Sequence, residues 1–341
     1  MNRKTLCGIL LALILTFTLA ACGSDPIEVT NPETGTTDLV YLAENGALSE
    51  KDRESVSEVL SAFEAALATQ SAEVLMPYVD ASFLADETAL TAFFKSVAES
   101  GNVPSVRYDE YYVRGLKESS VPVLIKKTAD SAQSLQIIPA GKELYVALYI
   151  GDESAPVNTM LSLVCVKKGG RFTIAWIDIS DYQYGGEDAT ALYAKAKSAF
   201  SDGKVMPALV LAQMTGNLAT PGNALHYANT DEISEFVYKV ASEGLEDYPL
   251  PLSLSVSGVK LRSVATSITE HGVVPMFFYS TETPITDKTA ITAEAKRVYR
   301  AIGKLFPGTI ETFPRAELRM TNADPETEEN FDYETVLVSM N

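Results

Sequence analysis

The spacing of the apolar residues changes at Gly101, and this change restricts the fold of the chain more than any other feature. Before Gly101, apolar side chains recur at every third or fourth residue, which predicts amphipathic helices that begin at Ser49 and near Asp86. Beyond Gly101, runs rich in Val, Ile, Tyr and Phe are typical of strands, namely 106–113, 143–150, 159–166 and 171–179. Helices that are followed by separate strands predict an α+β fold.

The order of these elements resembles one known fold. A short helix is expected from Glu73 to Tyr78, and Gly169-Gly170 is typical of a tight hairpin turn between the last two strands. Three helices, an antiparallel sheet, a glycine-turn hairpin and a closing strand with Trp176 resemble the nuclear-transport-factor-2-like fold over residues 41–182. The resemblance implies a curved sheet that wraps around the first helix and forms a cone with an open mouth.

Residues 188–341 are predicted to form a second α+β domain, with the boundary in the acidic, turn-rich stretch from Asp181 to Asp188. Helices are expected at 189–200, 205–214, 231–242 and 287–305, and strands at 252–261, 273–280, 316–320 and 336–340. Residues 93–101 (FFKSVAESG) and 236–244 (FVYKVASEG) both end a third helix. The second domain is therefore either a diverged repeat of the first or an independent sheet with one helix packed on it.

The N-terminal sequence predicts where the protein is located. A basic head, an uncharged run at 6–19 and small residues before a cysteine describe a signal peptide over residues 1–21. The sequence Leu19-Ala20-Ala21-Cys22 resembles the lipobox of bacterial lipoproteins, which implies cleavage before Cys22 and a diacylglyceryl group on its sulfur. Residues 22–40 are predicted to be a flexible tether. The expected location is the extracytoplasmic face of the cell membrane, with the protein held by its lipid.

Charge and cysteine content narrow the choice of partners and of stabilising bonds. The chain has a formal net charge of −18, so its surface repels phosphate backbones and nucleic acid is excluded as a partner. Attachment to the membrane must then come from acyl chains. Of the three cysteines, Cys7 leaves with the signal peptide and Cys22 carries the lipid, so no intramolecular disulfide is expected. Cys165 lies in an apolar run and is expected to be a small buried hydrophobe rather than a nucleophile.

No sequence motif indicates a cofactor or a metal. The two histidines, His226 and His271, are 45 positions apart, and no pair of cysteines has a spacing typical of zinc ligands. The glycine pairs at 169–170 and 185–186 lie in expected turns and not in the strand–loop–helix setting of a nucleotide site. The sequence therefore predicts a protein without a cofactor and without a metal.

The mouth of the expected cone is the candidate pocket, because cone-shaped enzymes of the family resemble one another in placing an Asp, His or Tyr there. Strict alternation along the first strand puts Arg107, Asp109 and Tyr111 on one face and leaves open which face points inwards. A carboxylate in an apolar interior would have a raised pKa and could act as a base, whereas the alternative is a set of solvated ion pairs. On the strand 143–150, the aliphatic residues are expected in the core and the tyrosines on a wetter face.

These observations favour three functions, in descending order. The first is a lipid-anchored extracytoplasmic protein that binds a partner protein or a small ligand without catalysis. The second is an enzyme of the isomerase or hydrolase type that uses the cone mouth. The third is the solute-binding lipoprotein of a transporter, which requires two lobes with parallel sheets, and the hairpin-linked strands argue against it.

Overall fold

The computed structural model describes residues 27–29, 41–42, 48–80, 86–116, 121–126, 132–323 and 331–340. The predicted signal peptide, Cys22 and most of the predicted tether lie outside these residues. The described chain has an α+β fold, in which helices lie beside open, largely antiparallel sheets, and this confirms the predicted class.

The helices and strands are bounded as follows. The helices are α1 (Glu50–Thr69), α2 (Glu87–Glu99), α3 (Ala189–Ser201), α4 (Val205–Asn217), α5 (Thr230–Gly244), α6 (Lys288–Leu305) and α7 (Thr309–Thr312). The first strands are β1 (Ile27–Val29), β2 (Tyr41–Leu42), β3 (Val106–Arg114), β4 (Val123–Lys126), β5 (Gln133–Ile137), β6 (Glu143–Ile150), β7 (Val157–Lys168) and β8 (Arg171–Tyr184). The remaining strands are β9 (Leu225–Tyr227), β10 (Leu252–Ser253), β11 (Lys260–Thr269), β12 (Gly272–Ser280), β13 (Arg315–Thr321) and β14 (Glu334–Ser339).

Helix α1 begins where the sequence predicts. The Ser49 side chain accepts a hydrogen bond from the backbone N–H of Asp52 at 3.2 Å, which caps the first turn. Its apolar stripe is buried and consists of Val56, Val59, Leu60, Phe63 and Leu67. Burying each large side chain of such a stripe contributes about 1.5–3 kcal/mol, so the stripe fixes which face of α1 meets the sheet. The helix expected at 73–78 is reduced to one 3₁₀ turn, Met76–Tyr78, because Pro77 lacks the N–H that a longer helix needs.

Five antiparallel strands form the main sheet, in the order β2-β3-β6-β7-β8. Gly169 and Gly170 have φ values of 59° and 78°, the left-handed values of a two-residue hairpin turn, and this confirms the predicted hairpin between β7 and β8. Asp181 to Tyr184, expected in a turn, instead form the end of β8, and the turn follows at Gly185-Gly186.

Both faces of the main sheet are covered. One face packs against α1 and α2, and there Tyr145 and Tyr149 of β6 are only 4% and 0% exposed. The aliphatic residues of β6 lie on the other face, in a second core. The expectation that the tyrosines lie on a wetter face is therefore wrong, because a layer of structure covers each side.

The small sheet, in the order β1-β4-β5-β9, forms the layer over the second face. Strand β9 joins β5 with Leu225 opposite Leu135, and β1 pairs in parallel with β4. Residues 27–29 of the predicted tether thus belong to a sheet, which corrects that part of the prediction. The alternation Ile27-Glu28-Val29 is the pattern of an edge strand. Because β9 comes from beyond the predicted boundary, the core reaches across it, and the division into two domains stays a prediction.

The rear sheet, in the order β10-β11-β12-β13-β14, belongs to the second half of the chain. Helix α4, which is buried on nearly all sides, and the apolar stripe of α6 pack against it. Strands β12 and β13 are parallel because the chain crosses over through α6. Among the described strands the main sheet has no parallel pair, so the sheet topologies do not support an internal repeat, which stays a prediction. Of the expected strand 252–261, Leu252–Ser253 forms β10, and β11 begins only at Lys260.

Candidate functional site

A β-bulge at Tyr108 separates the residues of the predicted pocket. Arg107 and Asp109 lie opposite consecutive residues of β6, so the register shifts by one residue between them. One extra residue turns the following side chains to the other face of the sheet. Arg107 therefore contacts α1, whereas Tyr111 packs towards the small sheet together with Asp109. The prediction that the three residues share one face is wrong.

On the face towards the helices, two carboxylates hold Arg107. Its guanidinium lies 2.7 Å from Glu64 of α1 and 2.9 Å from Glu110. It also lies 5.9 Å from the centre of the Tyr149 ring, whose hydroxyl donates to Glu64 at 3.3 Å. Burial acts to lower the pKa of Arg107, but the hydrogen bond to Glu64 and the surrounding negative groups raise it. Arg107 is thus neutralised by carboxylates of the protein itself.

A second ion cluster lies on the same face. Lys167 Nζ is 3.0 Å from Asp52 Oδ2 and 3.0 Å from Glu143 Oε2, and the Tyr112 hydroxyl donates to Glu143 at 2.5 Å. Burial acts to raise the pKa of Glu143, but the hydrogen bonds from Tyr112 and Lys167 outweigh it and lower the pKa. This cluster connects the first turn of α1 to β6 and β7, so its role is structural.

The opposite face carries a group of aromatic and acidic residues that we call the tyrosine cluster: Tyr108, Asp109, Tyr111, Tyr182, Asp188 and Tyr227. The Tyr108 and Tyr182 ring centres are 5.5 Å apart at an interplanar angle of 59°, and the Tyr182 hydroxyl donates to that of Tyr108 at 3.3 Å. The Tyr111 hydroxyl donates to Asp109 Oδ2 at 2.8 Å. Tyr108 is 39% exposed, whereas the other three tyrosines are at most 7% exposed. Tyr108 is therefore the tyrosine of the cluster that solvent reaches most readily.

The three buried tyrosines of the cluster hold their protons more tightly than a free tyrosine does. Burial raises the pKa of Tyr111, Tyr182 and Tyr227, and the carboxylates of Asp109 and Asp188 raise it further, so all three phenols are neutral at physiological pH. The Tyr227 hydroxyl is enclosed, and no residue that the structure describes lies within hydrogen-bond distance of it; the side chain of Gln133, opposite it on β5, is close enough to act against the rise of its pKa. An enclosed hydroxyl with so weak a partner costs free energy, so a ligand that reached this atom would gain a hydrogen bond there.

Four elements bring the tyrosine cluster together, and two of them lie beyond the predicted domain boundary. Strand β3 supplies its residues at the bulge, and β8 supplies Tyr182. Asp188 accepts a hydrogen bond from the N–H of Ala191 at 2.9 Å and so caps α3. Strand β9 supplies Tyr227. Sequence reasoning found Asp109 and Tyr111 and missed the others, since no local pattern links residues so far apart; the one available signal was the density of tyrosines at 182–184.

The groups that most often act as nucleophile or base lie elsewhere. His226 follows Leu225 on β9 and points away from its neighbour Tyr227, and burial lowers its pKa. His271 lies in the turn between β11 and β12. Cys165 is 1% exposed in the core between the main sheet and α1, as predicted, and burial raises the pKa of its thiol.

Cys165 should not react with a thiol reagent in the native protein, because the reagent cannot reach it and the thiol stays protonated. In denaturant, Cys165 should react fully. Replacement of Cys165 by Ser should lower the free energy of unfolding by about 1–3 kcal/mol, because a buried hydroxyl is left unsatisfied. Labelling rates with and without urea provide the measurement. Equal rates in both conditions would contradict the register of β7.

The residues that the structure describes contain no group of three or more His, Cys, Asp or Glu side chains placed to hold a metal ion. Nor does any helix among them combine the length and apolar character that crossing a bilayer requires. Comparisons with models of protein families, with curated proteins and with solved structures find no match to the chain.

Proposed function

We propose that this chain is a lipid-anchored extracytoplasmic protein that binds a small ligand in the tyrosine cluster. The observation that carries the proposal is the enclosed Tyr227 hydroxyl, which lies within hydrogen-bond distance of no described residue and interacts electrostatically with Tyr108, the most exposed tyrosine of the cluster. Aromatic walls with a few converging polar groups are typical of small-molecule sites. The position of the cluster between two parts of the chain supports the same conclusion, since binding sites favour such junctions.

Binding is preferred to catalysis because of the chemical groups in the cluster. Neutral phenols with raised pKa values are poor bases, and the Asp109 carboxylate already accepts a hydrogen bond from Tyr111. The second candidate, a cone-pocket enzyme, is weakened by the bulge, since Arg107 and Asp109 cannot act on one substrate from opposite faces. The order of α1, α2 and an antiparallel sheet that ends in the β7–β8 hairpin supports the proposed likeness to the nuclear-transport-factor-2-like fold.

The lipid anchor would hold the small sheet close to the bilayer. Strand β1 starts five residues after Cys22, a stretch that spans at most about 18 Å when fully extended. Since β1 is paired with β4, the anchored protein would lie beside the membrane rather than at the end of a long tether.

Lipidation has a direct test. The Cys22→Ala variant should keep residues 1–21 and lack the lipid, because the thiol that accepts the diacylglyceryl group is gone. Intact-mass spectrometry measures both changes. The Cys7→Ala variant is the matched control and should be processed like the parent. A Cys22→Ala protein that carries the same lipid mass as the parent would refute the lipobox assignment.

Ligand binding is tested with a small-molecule screen by thermal shift on the detergent-solubilised, full-length protein. Compounds that bind the cluster should raise the melting temperature of the parent and of Tyr238→Ala, whose tyrosine is 76% exposed on α5, but not that of Tyr108→Ala. A screen in which no shift depends on Tyr108 would overturn the proposed site.

A further inference from the structure

We infer that two copies of this chain pair through the outer edge of β14, so that their rear sheets join into one. The contact lies outside the tyrosine cluster and goes beyond the proposed function. Three features of β14 support it: the direction of its backbone groups, its lack of the features that protect edge strands, and its fit to a second copy of itself.

The backbone groups of β14 can be assigned to its two sides. The N–H of Met340 donates to the carbonyl of Pro314 at 2.9 Å, and the register between β14 and β13 is regular along the strand. Antiparallel pairs alternate between bonded and non-bonded positions, so the even-numbered residues of β14 bond to β13. The N–H and C=O of Thr335, Leu337 and Ser339 therefore point away from β13, and no strand that the structure describes pairs with them.

Other sheet edges in this protein are protected against a further strand. Strand β3 is paired with β2 over two residues only, and the part beyond carries charged side chains and the bulge at Tyr108. Beyond β10, the edge of β11 is met by α4, where the Gln213 side chain donates to the carbonyl of Val264 at 3.2 Å. On β8, the carbonyl of Ile174 accepts a hydrogen bond from the N–H of Asp80 at 2.8 Å.

Strand β14 has no such protection. It is six residues long and contains no Lys, no Pro and no bulge, the features that normally keep an edge strand from pairing. Its only charged residue, Glu334, lies at its end and forms an ion pair with Lys288 of α6. An edge of this kind is a site at which another strand can add to the sheet.

The strand fits a second copy of itself about a two-fold axis at Leu337. In an antiparallel pair centred there, Leu337 lies opposite the Leu337 of the second copy, Val336 opposite Val338, and Thr335 opposite Ser339. All these pairs are uncharged, and every outward backbone group of the strand gains a hydrogen bond. Leu337 is 39% exposed in the single chain, and the opposite leucine would cover it.

Charge favours this edge over the rest of the surface as the contact between copies. The chain has a formal net charge of −18, so two copies repel each other wherever acidic side chains meet. Strand β14 brings backbone amides and neutral side chains together instead. Copies that the proposed lipid anchor holds on one surface meet at a high effective concentration, which favours even a small interface.

Disulfide trapping on the detergent-solubilised, full-length protein tests the pairing and its register. Leu337→Cys should give a disulfide-linked dimer on mild oxidation, because opposite residues lie about 5.5 Å apart, within disulfide range. Thr335→Cys or Ser339→Cys alone should give none, since each lies at least about 13 Å from its own copy, whereas a mixture of the two should cross-link. The parent, in which Cys165 is buried, gives the background on a non-reducing gel.

A charge at the centre of the contact should separate the copies. Leu337→Lys should weaken dimerisation at least about tenfold in analytical ultracentrifugation, because two like charges would lie opposite each other. Ile268→Lys is the matched control and should dimerise like the parent, since Ile268 is 59% exposed on β11 of the same sheet, two strands away from β14. Circular dichroism of each variant establishes that it is folded.

The outcomes decide both the contact and its occupant. Absence of a dimer from Leu337→Cys, or cross-linking of Thr335→Cys alone as strong as that of the mixture, would overturn the two-fold pairing. A Leu337→Cys adduct in cells that contains a different protein, with no dimer of the chain, would overturn the second copy as the occupant. Ligand binding that depends on Tyr108 is measured separately, so failure of the dimer leaves the proposed function in place.

Discussion

Replacing Lys167 by methionine should lower the free energy of unfolding by about 3 kcal/mol at pH 7. The side chains of Lys167 and Asp52 are 21% and 10% exposed, so the ion pair is largely shielded from water. Removing the ammonium leaves Asp52 and Glu143 close together without a cation, and an uncompensated buried charge costs more than a surface pair gains. Methionine keeps most of the volume of the lysine stem, so the loss reports the charge.

The same variant should show an altered pH dependence. In the parent, the pKa of Glu143 is lowered on folding. Its contribution to the free energy of unfolding is therefore fully present above its unfolded pKa and is lost as the pH falls through its folded pKa. In Lys167→Met, the carboxylates of Glu143 and Asp52 repel each other without a cation between them. The pKa of Glu143 in the folded protein is then raised instead of lowered. Protonation then relieves the repulsion, so the deficit relative to the parent should shrink between pH 7 and pH 5.

Urea unfolding at both pH values measures this effect. The matched control is Lys204→Met, because Lys204 pairs with Asp202 at 3.1 Å and both side chains are about half exposed. The exposed Lys204–Asp202 pair should contribute less than about 0.5 kcal/mol to the free energy of unfolding. A deficit that grows on acidification, or one that matches the control, would show that the Lys167 cluster is not the shielded ion pair that the distances indicate.

Helices and strands whose apolar residues recur at a regular spacing could be predicted from the sequence, because that spacing is visible among residues that are neighbours in the chain. The Ser49 cap and the Gly169-Gly170 hairpin are set by neighbours in the chain, and both agree with the structure. The layer over the second face of the main sheet could not be predicted. It depends on β9 pairing with β5, two short strands about ninety residues apart, and pairing of this kind has no local signal.

The candidate site was harder to predict than the fold for the same physical reason. Alternation assigns side chains to faces only while the ladder is regular, and one extra residue at Tyr108 reverses the assignment for all that follow. Nothing in the sequence around Tyr108 marks the bulge. Tyr227 enters the cluster only because the small sheet forms, so its role depends on long-range pairing.

That long-range packing can be tested at Gly222, in the loop that precedes β9. Its φ is 58°, and a Cβ there would lie 2.5 Å from Ser162 Oγ and 3.0 Å from Met160 Cγ on β7. The Gly222→Ala substitution should therefore lower the free energy of unfolding by about 3 kcal/mol, because it strains the backbone and because the new Cβ clashes with packed side chains. The control is Gly203→Ala, where φ is 71° and no atom lies within 4 Å of the added carbon, so only the backbone cost of about 1 kcal/mol applies.

A second substitution distinguishes the clash from the strain. Ser162→Gly removes the atom that the new Cβ would meet, so the double variant Gly222→Ala, Ser162→Gly should be more stable than the sum of the two single effects by about 1 kcal/mol. Urea unfolding of the four proteins of this cycle gives the coupling energy. The loop is tied to β8 by the hydrogen bond from Ser180 Oγ to the carbonyl of Thr220 at 3.1 Å, so it cannot move away freely. Equal losses in Gly222→Ala and Gly203→Ala, with no coupling to Ser162, would mean that the loop before β9 does not pack on β7, and the small sheet would then lack this support against the main sheet.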